Sequence, residues 1–187
     1  VILRSFSMHD MELPDSLKCI ARAGAGTNNI PIDKCSEKGI VVFNTPGANA
    51  NAVAELTIAG LLLASRKITA GIEWAKTLKG EGDSIGSLVE KGKSAYAGPE
   101  IRGKKLGVVG LGAIGAKVAN IALALGMDVV GYDPFISVDA AWGLPQNIKK
   151  CSDLKVLASN CDYISMHLPL NDNTRGMVND ELFECME

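Results

Sequence analysis

Short apolar runs alternate with helix-like segments along most of the chain. The runs are rich in β-branched residues, which is typical of buried strands. Strands are predicted at 1–4, 19–23, 40–43, 105–109, 127–132 and 162–166, with a weak one near 146–149. Because strands that alternate with helices form parallel sheets, the pattern predicts an α/β fold.

The helical segments differ in how their apolar residues are distributed. Helices are predicted at 32–38, 51–79, 113–125, 152–160 and from 180 onward. The longest is apolar around much of its first half, so we expect it to be buried on several sides. Ser152 and Asn179 are predicted N-caps, and Gly126 suits a left-handed helix end. The stretch 84–96 fits neither pattern.

Composition narrows the class of protein. Of the 187 residues, 47% are hydrophobic and 21% are charged, and the net charge is −2. A chain with this charge balance has no broad basic surface, so we do not expect it to bind nucleic acid. The apolar segment 56–64 is far shorter than the roughly 20 residues that a membrane span needs. The chain has five cysteines, none of them in a C-x-x-C pair, and only two histidines, so we expect no metal site. Scattered free thiols are typical of proteins in a reducing cytoplasm.

The two ends of the chain are unusual for a complete protein. The chain begins with Val1 inside an apolar run, and its last residues lie inside an apparent helix without a stop signal. We therefore expect it to be a piece of a longer protein.

Three glycines carry the clearest chemical signal. Gly110, Gly112 and Gly115 form a G-x-G-x-x-G pattern between a predicted strand and a predicted helix. The first glycine permits a tight turn, the second lets a pyrophosphate approach the backbone, and the third lets the helix pack on the strand. Amides at the helix start favour phosphates. The alternative is a tight turn that binds no ligand.

An acidic residue follows at the position that a dinucleotide site needs. Asp133 ends the second strand, about 20 residues after the glycines, where a carboxylate accepts hydrogen bonds from the adenosine ribose. Its negative charge disfavours the 2′-phosphate of NADP, so the predicted cofactor is NAD. The alternative is an ordinary strand-end residue before a proline.

Several ordered motifs together resemble the D-isomer-specific 2-hydroxyacid dehydrogenases. They are RAGAGTNNI at 22–30, NTPGAN at 44–49, VAE at 53–55, the glycine turn, YDP at 132–134 and DYISMHLPL at 162–170. The resemblance implies a doubly wound parallel Rossmann-type sheet, incomplete at the C-terminus, plus part of a smaller flavodoxin-like α/β substrate domain. It places 1–45 in the substrate domain and 46–187, with the long helix, in the NAD-binding domain of a homodimer or higher homo-oligomer.

The same resemblance implies site residues. Backbone amides of Gly24, Ala25 and Gly26 would hold a substrate carboxylate, with Ala25 also near the nicotinamide. The side chains expected near the substrate are Arg4, Ser5 and Asn49, of which Arg4 suits a phosphate. The further residues expected along the cofactor are Ala113, Ile114 and Leu168. Arg4 as a surface charge and Asn49 as a helix cap remain open alternatives.

The activity implied by the resemblance is oxidation of a small 2-hydroxy acid with NAD. The motifs are most similar to members that convert 3-phosphoglycerate to 3-phosphohydroxypyruvate at the entry to serine synthesis. Alternatives are a glyoxylate or hydroxypyruvate reductase, a D-lactate dehydrogenase, or a non-catalytic NAD-sensing corepressor. The catalytic arginine, glutamate and histidine are expected beyond Glu187, and His167 is expected in the cofactor loop. We therefore expect the isolated chain to be inactive.

Overall fold

The computed structural model describes residues 1–186, apart from the side chain of Asp139. Contacts divide the chain into two compact units, Val1–Val53 and Ala54–Glu187. The functional boundary between 45 and 46 that the resemblance implies stays a prediction. Among the described residues, no helix has both the length and the apolarity needed to cross a membrane.

The first unit is built on a three-stranded parallel sheet. Its elements are β1 (Ile2–Leu3), β2 (Cys19–Arg22), α1 (Ile32–Glu37) and β3 (Val41–Asn44), and β2 lies between the other two strands. Its buried core consists of Met8, Leu13, Ile20, Ile30, Cys35 and Ile40. Because the strands are parallel, the loops after β1, β2 and β3 emerge at the same edge of the sheet.

The second unit contains a four-stranded parallel sheet. Its strands are β4 (Lys105–Val109), β5 (Asp128–Tyr132), β6 (Lys149–Lys150) and β7 (Tyr163–Met166), in the order β6-β5-β4-β7. Numbered from β4, this order is 3-2-1-4, which is that of the first four strands of a doubly wound nucleotide-binding sheet. The predicted fold class is confirmed.

The helices other than α1 belong mostly to this unit. They are α2 (Ala50–Arg66), which begins before the division between the units, α3 (Ile68–Thr77), α4 (Ile85–Gly92), α5 (Ala113–Ala124), α6 (Val138–Trp142), α7 (Leu154–Asn160) and α8 (Asp180–Glu184). Neighbouring residues of β4 pack in different clusters: Val108 with Val118 of α5, and Val109 with Leu157 of α7. Since successive strand residues point to opposite faces, both faces of β4 are covered.

The prediction of one continuous helix over 51–79 is wrong, because the segment forms two helices, α2 and α3. Lys67, between α2 and α3, takes a left-handed conformation with φ of 49°, which interrupts the helical hydrogen-bond ladder. Just before this break, the buried Ser65 hydroxyl is hydrogen-bonded to the Tyr163 hydroxyl on β7. The unassigned stretch 84–96 is helical, with α4 between 3-10 turns at Gly82–Ser84 and Lys93–Tyr96.

One of the two predicted helix caps is wrong. Asp153, not Ser152, caps α7, because its carboxylate accepts hydrogen bonds from the Lys155 and Val156 amides. Asn179 caps α8 as predicted, accepting from the Leu182 amide at 3.0 Å. Gly126 has φ of +83° and ends α5 as predicted. The structure adds α6, a helix that the sequence analysis did not predict.

Candidate functional site

The glycines of the turn between β4 and α5 each satisfy a different steric requirement. A Cβ on Gly110, whose φ is +90°, would lie 2.8 Å from the His167 carbonyl oxygen. A Cβ on Gly115 would collide with the carbonyl group of Gly110, so the close approach of α5 to the turn requires glycine there. A Cβ on Gly112 would meet nothing within 4 Å, which leaves the space above this backbone open for a ligand.

The first turn of α5 is arranged to receive an anion. Gly112 is the N-cap, no side chain caps the helix, and no acidic residue lies in the first turn. Among the described contacts, the amides of Ala113 and Ile114 have no protein acceptor. Four N–H groups at a helix start lack intrahelical partners, and the helix dipole adds partial positive charge, so this position favours a phosphate.

The Asp133 carboxylate faces the glycine turn. Its Oδ2 accepts a hydrogen bond from the Leu111 amide at 2.9 Å, and its Oδ1 accepts one from the Phe135 amide at 3.0 Å. Each carboxylate oxygen has a further lone pair, so the group retains capacity to accept bonds from a ribose diol. The open space above Gly112 and this carboxylate together fit the pyrophosphate and adenosine ribose of NAD.

The segment after β7 closes over the first glycine. The His167 amide donates to the Val109 carbonyl at 2.7 Å, and a Cβ on Gly110 would lie 2.8 Å from Leu168 Cδ2. His167 Nε2 is hydrogen-bonded to the Ser165 hydroxyl at 2.8 Å, and burial lowers the pKa of this imidazole. The structure thus brings Leu168 beside Gly110, whereas its contact with the cofactor stays a prediction.

A cavity of about 570 Å³ adjoins Asp133 on the side of β6. Its apolar lining includes Leu111, Ile136, Leu144 and Ile148. The cavity therefore begins at the group predicted to hold the ribose and extends beneath α6.

In the first unit, two residues at the end of β3 form hydrogen bonds with the loop that follows β2. The Gly24 amide donates to the Thr45 hydroxyl at 2.7 Å, and Asn44 Nδ2 donates to the Ala25 carbonyl at 2.9 Å. The Gly24 amide therefore has a protein acceptor already. The amides of Ala25 and Gly26 have none among the described contacts, and both residues are exposed, so they are the better placed to bind a carboxylate.

The other predicted substrate residues lie in loops of the first unit. Arg4 and Ser5 follow β1 and are exposed, and Arg4 shares its edge of the sheet with Gly24. Asn49 is also exposed, and its carbonyl accepts a hydrogen bond from the Val53 amide at 3.1 Å. No described contact joins Asn49 to Arg4 or to the Gly24 loop.

Residues that the sequence analysis did not single out organise these loops. The Arg4 carbonyl accepts hydrogen bonds from Arg22 Nε and from Asn29 Nδ2, each at 3.2 Å. The Leu111 amide fixes the Asp133 carboxylate. In both cases one partner is a backbone group in a loop, which residue type and spacing do not reveal.

Comparison with known families identifies the group to which the chain belongs. The sequence model described as "D-isomer specific 2-hydroxyacid dehydrogenase, NAD binding domain" matches residues 58–187. The chain is a member of this family. The predicted cofactor, NAD, is thereby confirmed, and the glycine turn with Asp133 lies inside the matched region.

Individual members of the 2-hydroxyacid dehydrogenase family match over almost the whole chain. The chain is 37% identical to D-3-phosphoglycerate dehydrogenase of Methanocaldococcus jannaschii, with 95% of the chain and 31% of that protein covered. It is 41% identical to hydroxypyruvate reductase of Thermotoga maritima, with 95% and 52% covered. It therefore spans about a third to a half of these relatives.

Solved structures show the same partial coverage. The holo form of Rhodotorula graminis D-mandelate dehydrogenase superimposes with a TM-score of 0.79 at 29% identity, covering 94% of this chain and 50% of that one. NAD⁺-bound 3-phosphoglycerate dehydrogenase of Entamoeba histolytica gives a TM-score of 0.72 at 32% identity, with 100% and 52% covered.

Proposed function

We propose that the chain supplies the NAD-binding region and part of the substrate site of a dehydrogenase that oxidises 3-phosphoglycerate to 3-phosphohydroxypyruvate. The main support for the proposal is the hydrogen bond that the Asp133 carboxylate accepts from the Leu111 amide. Leu111 is followed by Gly112, above whose backbone there is open space for a ligand. A diphosphate and a ribose diol are the two groups of a dinucleotide that such an arrangement accommodates.

The chain's own residues would bind and orient the reactants. When bound, NAD would supply the acceptor for the hydride from C2 of the hydroxy acid, and the hydroxyl proton would go to a base. The amides of Ala113 and Ile114 hold the pyrophosphate, and Asp133 holds the adenosine ribose. The amides of Ala25 and Gly26 orient the substrate carboxylate. No residue of the chain is assigned the role of the base.

The choice of a phosphorylated substrate rests on charge and on relatives. Arg4 is an exposed cation at the same sheet edge as the Gly24 loop, and a phosphate needs a cation. Relatives named D-3-phosphoglycerate dehydrogenase align with 95% of the chain. The 41% identity to hydroxypyruvate reductase of Thermotoga maritima favours an unphosphorylated substrate as the second candidate.

We also infer a homodimer formed through the second unit, in a cytoplasmic enzyme. Large apolar side chains remain exposed along α2 and α3, including Leu56 with 74% and Ile72 with 50% of their surface accessible. Exposed apolar surface of this kind is typical of protein interfaces.

Titration with NADH and NADPH tests the cofactor site in the full-length protein. We expect NADH to bind more tightly, and Asp133→Asn to weaken NADH binding by about 10- to 100-fold, because a charge-assisted hydrogen bond to the ribose is lost. Asp128→Asn is the matched control, since Asp128 is exposed at the opposite end of the same strand. Equal affinity for the two nucleotides, or equal effects of the two variants, would refute the assignment.

Steady-state kinetics test the substrate. We expect a higher kcat/KM for D-3-phosphoglycerate than for D-glycerate, because the site is built to balance a phosphate charge. A preference for D-glycerate would instead support the hydroxypyruvate reductase alternative.

A further inference from the structure

The segment after β7 lies against the glycine turn but has few backbone hydrogen bonds of its own. The His167 amide donates to the Val109 carbonyl, and Leu168 Cδ2 lies 2.8 Å from the position of a Cβ on Gly110. Among the described contacts, the amide and the carbonyl of Leu168 have no hydrogen-bond partner. A contact outside the sheet must therefore fix the backbone that carries the Leu168 side chain.

The Thr174 hydroxyl supplies such a contact. It donates a hydrogen bond of 2.6 Å to the Pro169 carbonyl, which belongs to the residue directly after Leu168. The hydroxyl carries a single proton, and its contacts with two oxygens of Asn171 are longer, at 3.3 Å, so the Pro169 carbonyl receives the proton. Because proline has no N–H, its carbonyl is the one backbone group at which a hydrogen bond can hold this residue.

Thr174 is itself held in place by a turn. Its hydroxyl oxygen accepts a hydrogen bond from the Asn171 amide at 2.9 Å. Asn171 Oδ1 accepts bonds from the Asn173 and Thr174 amides at 3.0 and 3.1 Å, as asparagine side chains commonly do in turns. The Arg175 amide closes the turn by donating to the Asn171 carbonyl at 2.8 Å. These bonds fix the direction in which the Thr174 hydroxyl points toward Pro169.

Apolar packing anchors the segment on both sides of this turn. Leu168 before the turn and Met177 after it pack against the same buried cluster, which contains Val109 of β4. The Met177 amide also donates to the Thr174 carbonyl at 3.2 Å. The chain therefore leaves the cluster at Leu168, makes the turn and returns at Met177. A hydrogen bond across the base of such a short loop limits how far Leu168 can move.

We infer that Thr174 is a positioning residue of the cofactor site: its hydroxyl fixes the Pro169 carbonyl and so holds the Leu168 side chain over the glycine turn, against the bound dinucleotide. The inference rests on the proposed placement of the pyrophosphate beside Gly112, and it adds a residue that acts through the backbone. A side chain that is already held in place loses less conformational entropy when the cofactor binds, so the hydroxyl should raise the affinity for NAD.

NADH titration of the full-length protein tests the inference. We expect Thr174→Val to raise the dissociation constant for NADH about 3- to 10-fold, because the bond to the Pro169 carbonyl is lost. Thr174→Ser keeps the hydroxyl and should stay within about twofold of the wild type. Thr77→Val is the matched control, since the Thr77 hydroxyl also donates to a backbone carbonyl, that of Trp74, at 2.7 Å. Because Thr77 lies in α3, its loss should change the affinity by less than about twofold.

A double-mutant cycle with Leu168 separates positioning from a purely structural role. Leu168→Ala should itself weaken NADH binding. Adding Thr174→Val to it should raise the dissociation constant by less than about twofold further, because the hydroxyl then has no side chain to position. Fully additive effects would show that the turn serves the fold alone and would overturn the inference, as would an unchanged affinity in Thr174→Val.

Thermal unfolding of each variant checks that it is folded. If Thr174→Val does not fold, Asn171→Ala decides, because it opens the same turn by removing the acceptor of the Asn173 and Thr174 amides. We expect it to weaken NADH binding, and an unchanged dissociation constant in this variant would overturn the inference. A wild-type protein that fails to bind NADH would instead refute the proposed function, and this inference with it.

Discussion

At the scale of single residues, two glycines of the turn between β4 and α5 have different surroundings. Gly115 faces the carbonyl group of Gly110, whereas a methyl group on Gly112 would enter open space. Gly115 therefore serves the packing of α5 against the turn, whereas the open space at Gly112 fits the approach of a ligand that we predict there. Substitutions at these two sites should affect different measurements.

We expect Gly115→Ala to destabilise the protein by roughly 1–3 kcal/mol, because the added methyl must push α5 away from the turn. Gly112→Val should leave the thermal midpoint nearly unchanged and weaken NADH binding about tenfold or more, since its side chain occupies the space above the backbone. Thermal unfolding and NADH titration of both variants check this. A Gly112→Val protein that binds NADH normally would contradict the assignment of the pyrophosphate position.

Residue identities predicted this site in part. The glycines and Asp133 have a spacing set by the backbone of one strand-helix-strand unit, so a single sequence contains the signal. The Leu111–Asp133 and Arg22–Arg4 bonds join groups from different loops, and neither partner's role depends on its nearest neighbours in sequence. Such bonds depend on how the loops fold, so the sequence did not predict them.

At the scale of elements, the errors have local causes. The break at Lys67 involves neither glycine nor proline, so composition gave no indication of it. Ser152 and Asp153 are adjacent and both suit an N-cap, and only the start of α7 decides between them. Periodicity locates helices well, but their ends depend on single hydrogen bonds.

The N-cap of α7 gives a direct test at this scale. Asp153→Ala should lower the free energy of unfolding by about 1 kcal/mol, because the Lys155 and Val156 amides lose their acceptor. Ser152→Ala, one residue earlier, should change it by less than about 0.5 kcal/mol. Urea denaturation of the two variants measures both values, and a larger effect at Ser152 would reverse the assignment.

At the scale of the whole molecule, the observed order of strands agrees with the doubly wound sheet that the family resemblance implies. The glycine turn marks β4 as the first strand of a nucleotide-binding unit, and the doubly wound rule then gives the neighbours of β4 as β5 and β7, as observed. The division of contacts at Val53 lies within α2, where no composition change marks it. A helix shared by two units conceals their boundary from sequence analysis.

The pH dependence of stability should combine contributions from two groups of the second unit. Asp162 accepts hydrogen bonds from the Lys105 amide and the Lys104 ammonium, which lower the pKa of its carboxyl below the ordinary value of 3.8. Burial lowers the pKa of His167 below its ordinary value of 6.5. In both cases the folded protein binds protons more weakly than the unfolded chain, so acid favours unfolding.

Stability should therefore be lost in two stages as pH falls. The His167 contribution is complete above about 6.5 and declines below it, as protonation of the exposed imidazole stabilises the unfolded chain. The Asp162 contribution is retained until pH falls below about 3.8 and is lost as the folded carboxyl titrates. Thermal midpoints measured from pH 8 to pH 3 should thus show one decline that begins near pH 6.5 and a second that begins near pH 3.8. His167→Gln should remove the first and Asp162→Asn the second. If both variants follow the wild-type profile after a constant offset, the two groups do not control acid stability.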